Sequence, residues 1–138
     1  MDNSDFQFNN FNIRKSLIEL TGTPISGLSL DFEPSGLLDK NNSKFQLILK
    51  VVIGDESKDL KIEVEAIGNF GYNNLDEESL QNFLFLNAPA ILFPYIRAYI
   101  STLTSLSGIN PVVLPTLNLS SLRDKLSKNI KEINLVEQ

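Results

Sequence analysis

The hydrophobic period of this chain changes once, at Tyr72, and that change limits the possible folds more than any other feature. Before it the apolar residues recur every second position. Leu28, Leu30 and Phe32 alternate with Ser29, Asp31 and Glu33, which predicts a strand with one wet face. Phe45, Leu47, Leu49, Val51 and Ile53 alternate too, but Ile48 and Val52 lie on the opposite face, as suits a central strand. After a turn cluster at 54–57, Leu60, Ile62, Val64 and Ala66 alternate with Lys61, Glu63 and Glu65, so the two segments read as an antiparallel hairpin. Between Phe6 and Leu20 the apolar parity changes without a turn. One extra residue flips every side chain, so a single long, bulged strand at a sheet edge is expected there.

After Tyr72 the spacing is helical. Asp76, Glu77 and Glu78 sit where a helix N-terminus favours negative charge, ahead of Leu80, Phe83 and Leu84. Pro89 is expected to interrupt, and a longer helix follows to Ser107. Its residues Leu92, Ile96, Tyr99, Leu103 and Leu106 form a heptad-like seam. Gly108 suits a left-handed cap. Residues 109–119 are too apolar for a wet loop and too rich in proline for a central strand, so they should lie extended over apolar surface. A last helix places Leu119, Leu122, Leu126, Ile130 and Ile133 on one face. Strands at about 6–72 followed by helices at about 76–135 make an α+β fold. It is a four-stranded antiparallel sheet with two main helices on one side, in a single domain over 1–138.

Composition narrows the chemistry. With no cysteine and no histidine, thiolate nucleophiles, Ser-His-Asp triads and the usual zinc sites are excluded. No phosphate-binding or nucleophile-elbow motif is present, and Glu63 with Glu65 reads as a solvated strand face. No catalytic residue, metal or cofactor is expected. A net charge of −5 argues against nucleic acid as a partner. The first 75 residues hold seven Lys/Arg against eleven Asp/Glu, so most of the excess acid lies there. No run of eighteen apolar residues occurs, so stable membrane insertion is not expected, and the cytoplasm is the expected location. Two features keep two readings each. The long helix either covers the sheet or also pairs with a copy of itself. The segment at 109–119 is either a core-covering crossover or one wall of a groove for extended apolar chain.

The run Ala90-Ile91-Leu92-Phe93-Pro94-Tyr95-Ile96-Arg97 resembles the core motif of the SecB family of protein-export chaperones. Pro111 and Leu114-Pro115-Thr116-Leu117-Asn118-Leu119 are similar to the loop before that family's last helix. Looser likeness, at Phe6-Gln7-Phe8, Glu19, Glu63-Val64 and Gly68-Asn69-Phe70, extends over nearly the whole chain.

The resemblance implies an ATP-independent holdase that keeps unfolded preproteins competent for Sec-dependent export, with an antitoxin chaperone as the alternative. A carrier of small apolar ligands is an alternative of another class. It implies a homotetramer, a dimer of dimers, with Leu92, Ile96, Tyr99, Leu103 and Leu106 at the subunit interface. The client groove would be walled by Ile25, Leu28, Leu37 and Leu38 on one side. Val112, Val113, Leu114, Leu117, Leu122 and Leu126 would form the other. Glu19 and Glu63 align with acidic residues that hold the SecA motor. The pattern departs at Lys15, where a third acid is expected, and at Lys61, which replaces a leucine.

Overall fold

In the computed structural model, which describes residues 5–22, 27–115 and 118–133, the alternating half of the chain forms four strands. These are β1 (Phe6–Leu20), β2 (Leu28–Asp39), β3 (Lys44–Asp55) and β4 (Leu60–Tyr72). A short β5 (Ile130–Glu132) completes the sheet, in the order β1-β4-β3-β2-β5. The four long strands pair antiparallel, whereas β5 runs parallel to β2. The parity changes in β1 become two register shifts, after Phe8 and after Ile13.

Register lines up the apolar sets across the sheet. Phe45 faces Phe70, Leu49 faces Ala66, Val51 faces Val64 and Ile53 faces Ile62, and all eight are buried. Each side chain lies on the same face as its partner, so alternation in sequence becomes one continuous apolar surface.

The helices that cover this surface differ from expectation in two ways. Pro89 does not end the first helix. α1 (Glu77–Asn82), a π-helical turn at Phe83–Asn87 and α2 (Ala88–Leu106) form one continuous helix. A proline ring collides with the carbonyl four residues back. The wider turn directly before Pro89 absorbs the mismatch, and the Ala88 N–H donates to the Phe83 carbonyl five residues earlier. The helix is 30 residues long and by length and composition apolar enough to cross a membrane, but its apolar face lies on the sheet. Leu92, Phe93, Ile96, Ile100 and Thr104 are buried there, together with Phe83, which stacks on Phe6 and meets Phe45 and Phe70 edge-on.

That buried stripe corrects the heptad-like seam. Leu92 and Ile96 are taken up by the chain's own core, Tyr99 and Leu103 are half-buried, and Leu106 is 83% exposed. The second difference is at the C-terminus. α3 (Leu119–Ser127) stops before Ile130, and residues 130–132 pair with Gly36, Leu37 and Leu38 of β2. The edge of β2 offers backbone partners that an exposed helical turn lacks. The Gly36 N–H donates to the Asn129 carbonyl at 3.1 Å and the Ile133 N–H to the Leu38 carbonyl at 2.8 Å.

Gly36 shows how tight this edge is. A Cβ there would lie 2.6 Å from the ring of Phe45, which is fully buried against Phe70 and Phe83 and has no room to swing. Gly36→Ala is expected to destabilise the fold by about 1–3 kcal/mol, read from the urea unfolding midpoint.

Candidate polypeptide-binding groove

Where the sheet's helix-side surface runs out at β2, the chain lays an extended segment and α3 beside it. The segment at 109–115 hangs from α2 through Val112. The Val112 N–H donates to Thr104 Oγ1 at 2.8 Å, and Ser101 Oγ donates to the Val112 carbonyl at 3.1 Å. Thr104 is itself buried and donates to the Ile100 carbonyl at 2.8 Å, so the clasp is rigid on the core side. Leu114 plugs into the core, and the extended backbone then turns its neighbour Val113 outward, 62% exposed. Asn118 starts α3 by accepting the Ser121 N–H at 3.1 Å. From that helix Leu122 and Leu126 are buried.

Between β2 and α3 lies an open cavity of about 240 Å³. Leu30, Phe32, Pro115 and Leu122 supply its apolar lining, and Asp31 with Lys125 its polar rim. Phe32 is held edge-on against Phe93, 5.7 Å between ring centres. Lys125 reaches across the opening, its Nζ 3.0 Å from the Phe32 carbonyl and 3.3 Å from Asp31 Oδ1.

The expected groove residues divide into four groups. Leu122 lines the cavity, Val112 is half-buried, and Val113 and Leu28 (48% exposed) are open to solvent. Leu38, Leu114 and Leu126 are buried in the core and do not line the cavity. Leu37 is a correction. Neighbouring side chains on a strand point to opposite faces, so Leu37 lies across the sheet from Leu38, beside Gln46 and Asn69 in a separate cavity of about 470 Å³. Ile25 and Leu117 lie outside the described residues. Leu30 and Phe32 were missed, although their shared parity with Leu28 marks the same face.

The opposite face of the sheet carries the expected docking acids. Glu63 is only 6% exposed, and it is bound by Lys15, with Lys50 at 3.8 Å. Lys50 also meets Glu33 at 3.5 Å, so Glu33, Lys50, Glu63 and Lys15 alternate in sign across all four long strands. The hydrogen bond from Lys15 holds the Glu63 carboxyl below its usual range, against the opposing effect of desolvation. The same bond raises the Lys15 ammonium. Glu19 remains exposed, opposite Lys61 in the strand register. Among the described residues no group of three or more His, Cys, Asp or Glu is arranged to hold a metal.

The family model described as preprotein translocase subunit SecB matches residues 3–129. An uncharacterized protein of Methanocaldococcus jannaschii is 32% identical over 116 residues, 80% of this chain and 74% of that one. The protein-export protein SecB of Rickettsia typhi is 29% identical over 122 residues, 88% of this chain and 80% of that protein. Among solved structures, a SecB-like chaperone of Mycobacterium tuberculosis, in complex with a peptide from the HigA1 antitoxin, matches with a TM-score of 0.69. It is 22% identical, covering 83% of this chain and 88% of that one, and the likeness is one of fold.

The Lys15–Glu63 pair predicts a pH signature. A depressed carboxylate contributes stability above its unfolded-state range and loses it as pH falls through the folded value. A raised ammonium contributes below its unfolded value and loses it as pH climbs through the folded one. Lys15→Met is therefore expected to lower the unfolding midpoint at neutral pH. The deficit should shrink in acid, where a protonated Glu63 no longer needs the cation, and again in strong alkali. Parallel denaturation curves across pH check this.

Proposed function

The chain belongs to the SecB family of chaperones, and from that premise we propose that it is an ATP-independent holdase for unfolded polypeptide. The observation that carries the reading is the pairing of the 109–115 segment and α3 with the apolar row of β2. The two walls stand apart over an open cavity, and Val113 and Leu28, each two residues along the chain from a lining residue, are exposed to solvent. Such a surface can bury scattered apolar side chains with little demand on their order. Binding the unfolded chain would withhold it from aggregation by mass action. A carrier of small apolar ligands finds less support, because the groove, at about 240 Å³, is below the usual ~300–1,000 Å³ of such sites, and the larger cavity of about 470 Å³ is lined by Asn10, Asp39, Lys44, Gln46 and Asn69.

Export clients are the first assignment, on the strength of the export-protein relative in Rickettsia typhi, with the cytoplasm as the working compartment. One observation favours a second reading, an antitoxin as client. The acid expected to meet a motor, Glu63, is already matched by Lys15 and Lys50, which leaves Glu19 as the exposed member of the pair. A SecB-like chaperone that holds an antitoxin peptide shares this fold. A dimer of dimers would cover the outward side of α2. Tyr95, 44% exposed, rests there on Phe8 and Phe11, and Leu106 is bare.

Stoichiometric protein is expected to suppress aggregation of a slowly refolding client without nucleotide, monitored by light scattering. Val113→Asp, at an exposed position, should leave the fold intact and weaken client binding about tenfold. No suppression by the unaltered chain at several-fold excess would remove the holdase reading. For the assembly, Leu106→Glu is expected to lower the mass measured by multi-angle light scattering while preserving the circular dichroism spectrum. A monomer before any substitution would contradict the tetramer.

A further inference from the structure

The outer face of the sheet, away from the groove, holds the larger cavity of about 470 Å³. A row of three carboxamides runs across it. Asn10, Asn69 and Gln46 are successive register partners on β1, β4 and β3, and Leu37 of β2 continues the row. Gln46 Nε2 donates to Asn69 Oδ1 at 3.1 Å, and Asn69 Nδ2 donates to Asn10 Oδ1 at 2.8 Å. Both bonds run in the same direction, so the row has a donor end and an acceptor end. A carboxamide carries two N–H donors and one carbonyl acceptor. Among the described residues, no protein group accepts from the Asn10 amide or donates to Gln46 Oε1.

The first register shift in β1 adds a fourth amide. Phe8 and Phe11 both rest on Tyr95, on the helix side, and the two residues between them, Asn9 and Asn10, both line the cavity. Regular alternation would place a single residue there, so the bulge re-aims one side chain into the site. Leu37 and Ile133 close the other end with apolar surface. The charges cancel. Asp39 and Lys44 are register partners beside the β2–β3 turn, and Asn42 already holds both Asp39 carboxylate oxygens, at 3.2 and 2.8 Å.

We propose that this cavity is a binding site for a neutral pyranose sugar. A hydroxyl both donates and accepts, as a carboxamide does, so neighbouring ring hydroxyls match the free ends of the row. The C–H face of the same ring has Leu37 and Ile133 to rest on. A charged ligand finds no net opposite charge here. A wholly apolar one would strip water from four amides and return no hydrogen bonds. The volume suits a small ligand, for which ~300–1,000 Å³ is usual. The site is separate from the holdase reading, since Leu30 and Leu122 line a different cavity on the helix side.

Side-chain amide resonances of the intact protein test this, with glucose, galactose, mannose and N-acetylglucosamine added singly. About 20 mM of each would saturate a millimolar site. At least one sugar is expected to shift the Asn10, Gln46 and Asn69 amides along a saturating curve. Asn82 and Asn118, which lie outside the cavity, should stay in place. Asn10→Leu, at an exposed position, and Gln46→Met each remove one free end of the row. Each should weaken binding about fivefold, the worth of one hydrogen bond, while the circular dichroism spectrum is preserved. Shifts at Asn82 and Asn118 as large as those in the row would mean a general solute effect and overturn the site. So would an unmoved row with all four sugars, or undiminished binding by both variants.

Discussion

The burial of one sheet face beneath a single long helix is the constraint on which the rest of this structure depends. Leu92, Ile96 and Ile100 pack on the matched rows of β3 and β4, and Phe83 fills the corner with Phe45 and Phe70. Removing that much apolar surface from water is the dominant favourable contribution to folding. It also decides where everything else can go. The opposite sheet face has to be wet, and it carries the ladder of alternating charge from Glu33 to Lys15. The remaining apolar segments, at 109–115 and in α3, find space only at the margin, over β2. The groove exists because the helix leaves that margin uncovered.

Much of this could be read from residues alone, and the failures have physical causes. Period-two alternation gave the strands, and the parity breaks in β1 anticipated both register shifts. Pro89 misled because a proline at a helix start and a proline after a π-helical turn look the same in one dimension. The seam at 92, 96, 99, 103 and 106 misled because heptad spacing does not say how the helix is rotated against its sheet. The actual stripe follows 92, 96, 100 and 104. β5 was hidden within a helical pattern, since Ile130 keeps helical spacing from Leu126 while the edge of β2 offers it better partners. Of the expected wall residues, Leu122 lines the cavity and Leu37 does not, because one residue of offset places it on the far face. The clasp of Ser101 and Thr104 on Val112 left no sequence signal beyond two hydroxyl residues one turn apart.

The two faces of the sheet thus carry different chemistry. On the helix side, loosely spaced apolar walls suit a partner defined by scattered apolar side chains. On the outer side, Glu63 is neutralised from within, so a partner there meets a surface whose charges are largely answered already. Lys15 answers Glu63 within the sheet, so this strand position departs from the acidic docking face that the family resemblance implies. Both consequences follow from side chains held in register on adjacent strands.

Methyl resonances of the intact protein, followed while unfolded polypeptide is added, test the groove most directly. The account predicts shifts and intermolecular contacts at Leu30, Val112, Val113 and Leu122. It predicts none at Ile48, Val52 and Ile67, which lie on the outer face of the sheet. Contacts confined to those outer residues, or no perturbation at Leu30 and Leu122 at saturating client, would contradict it.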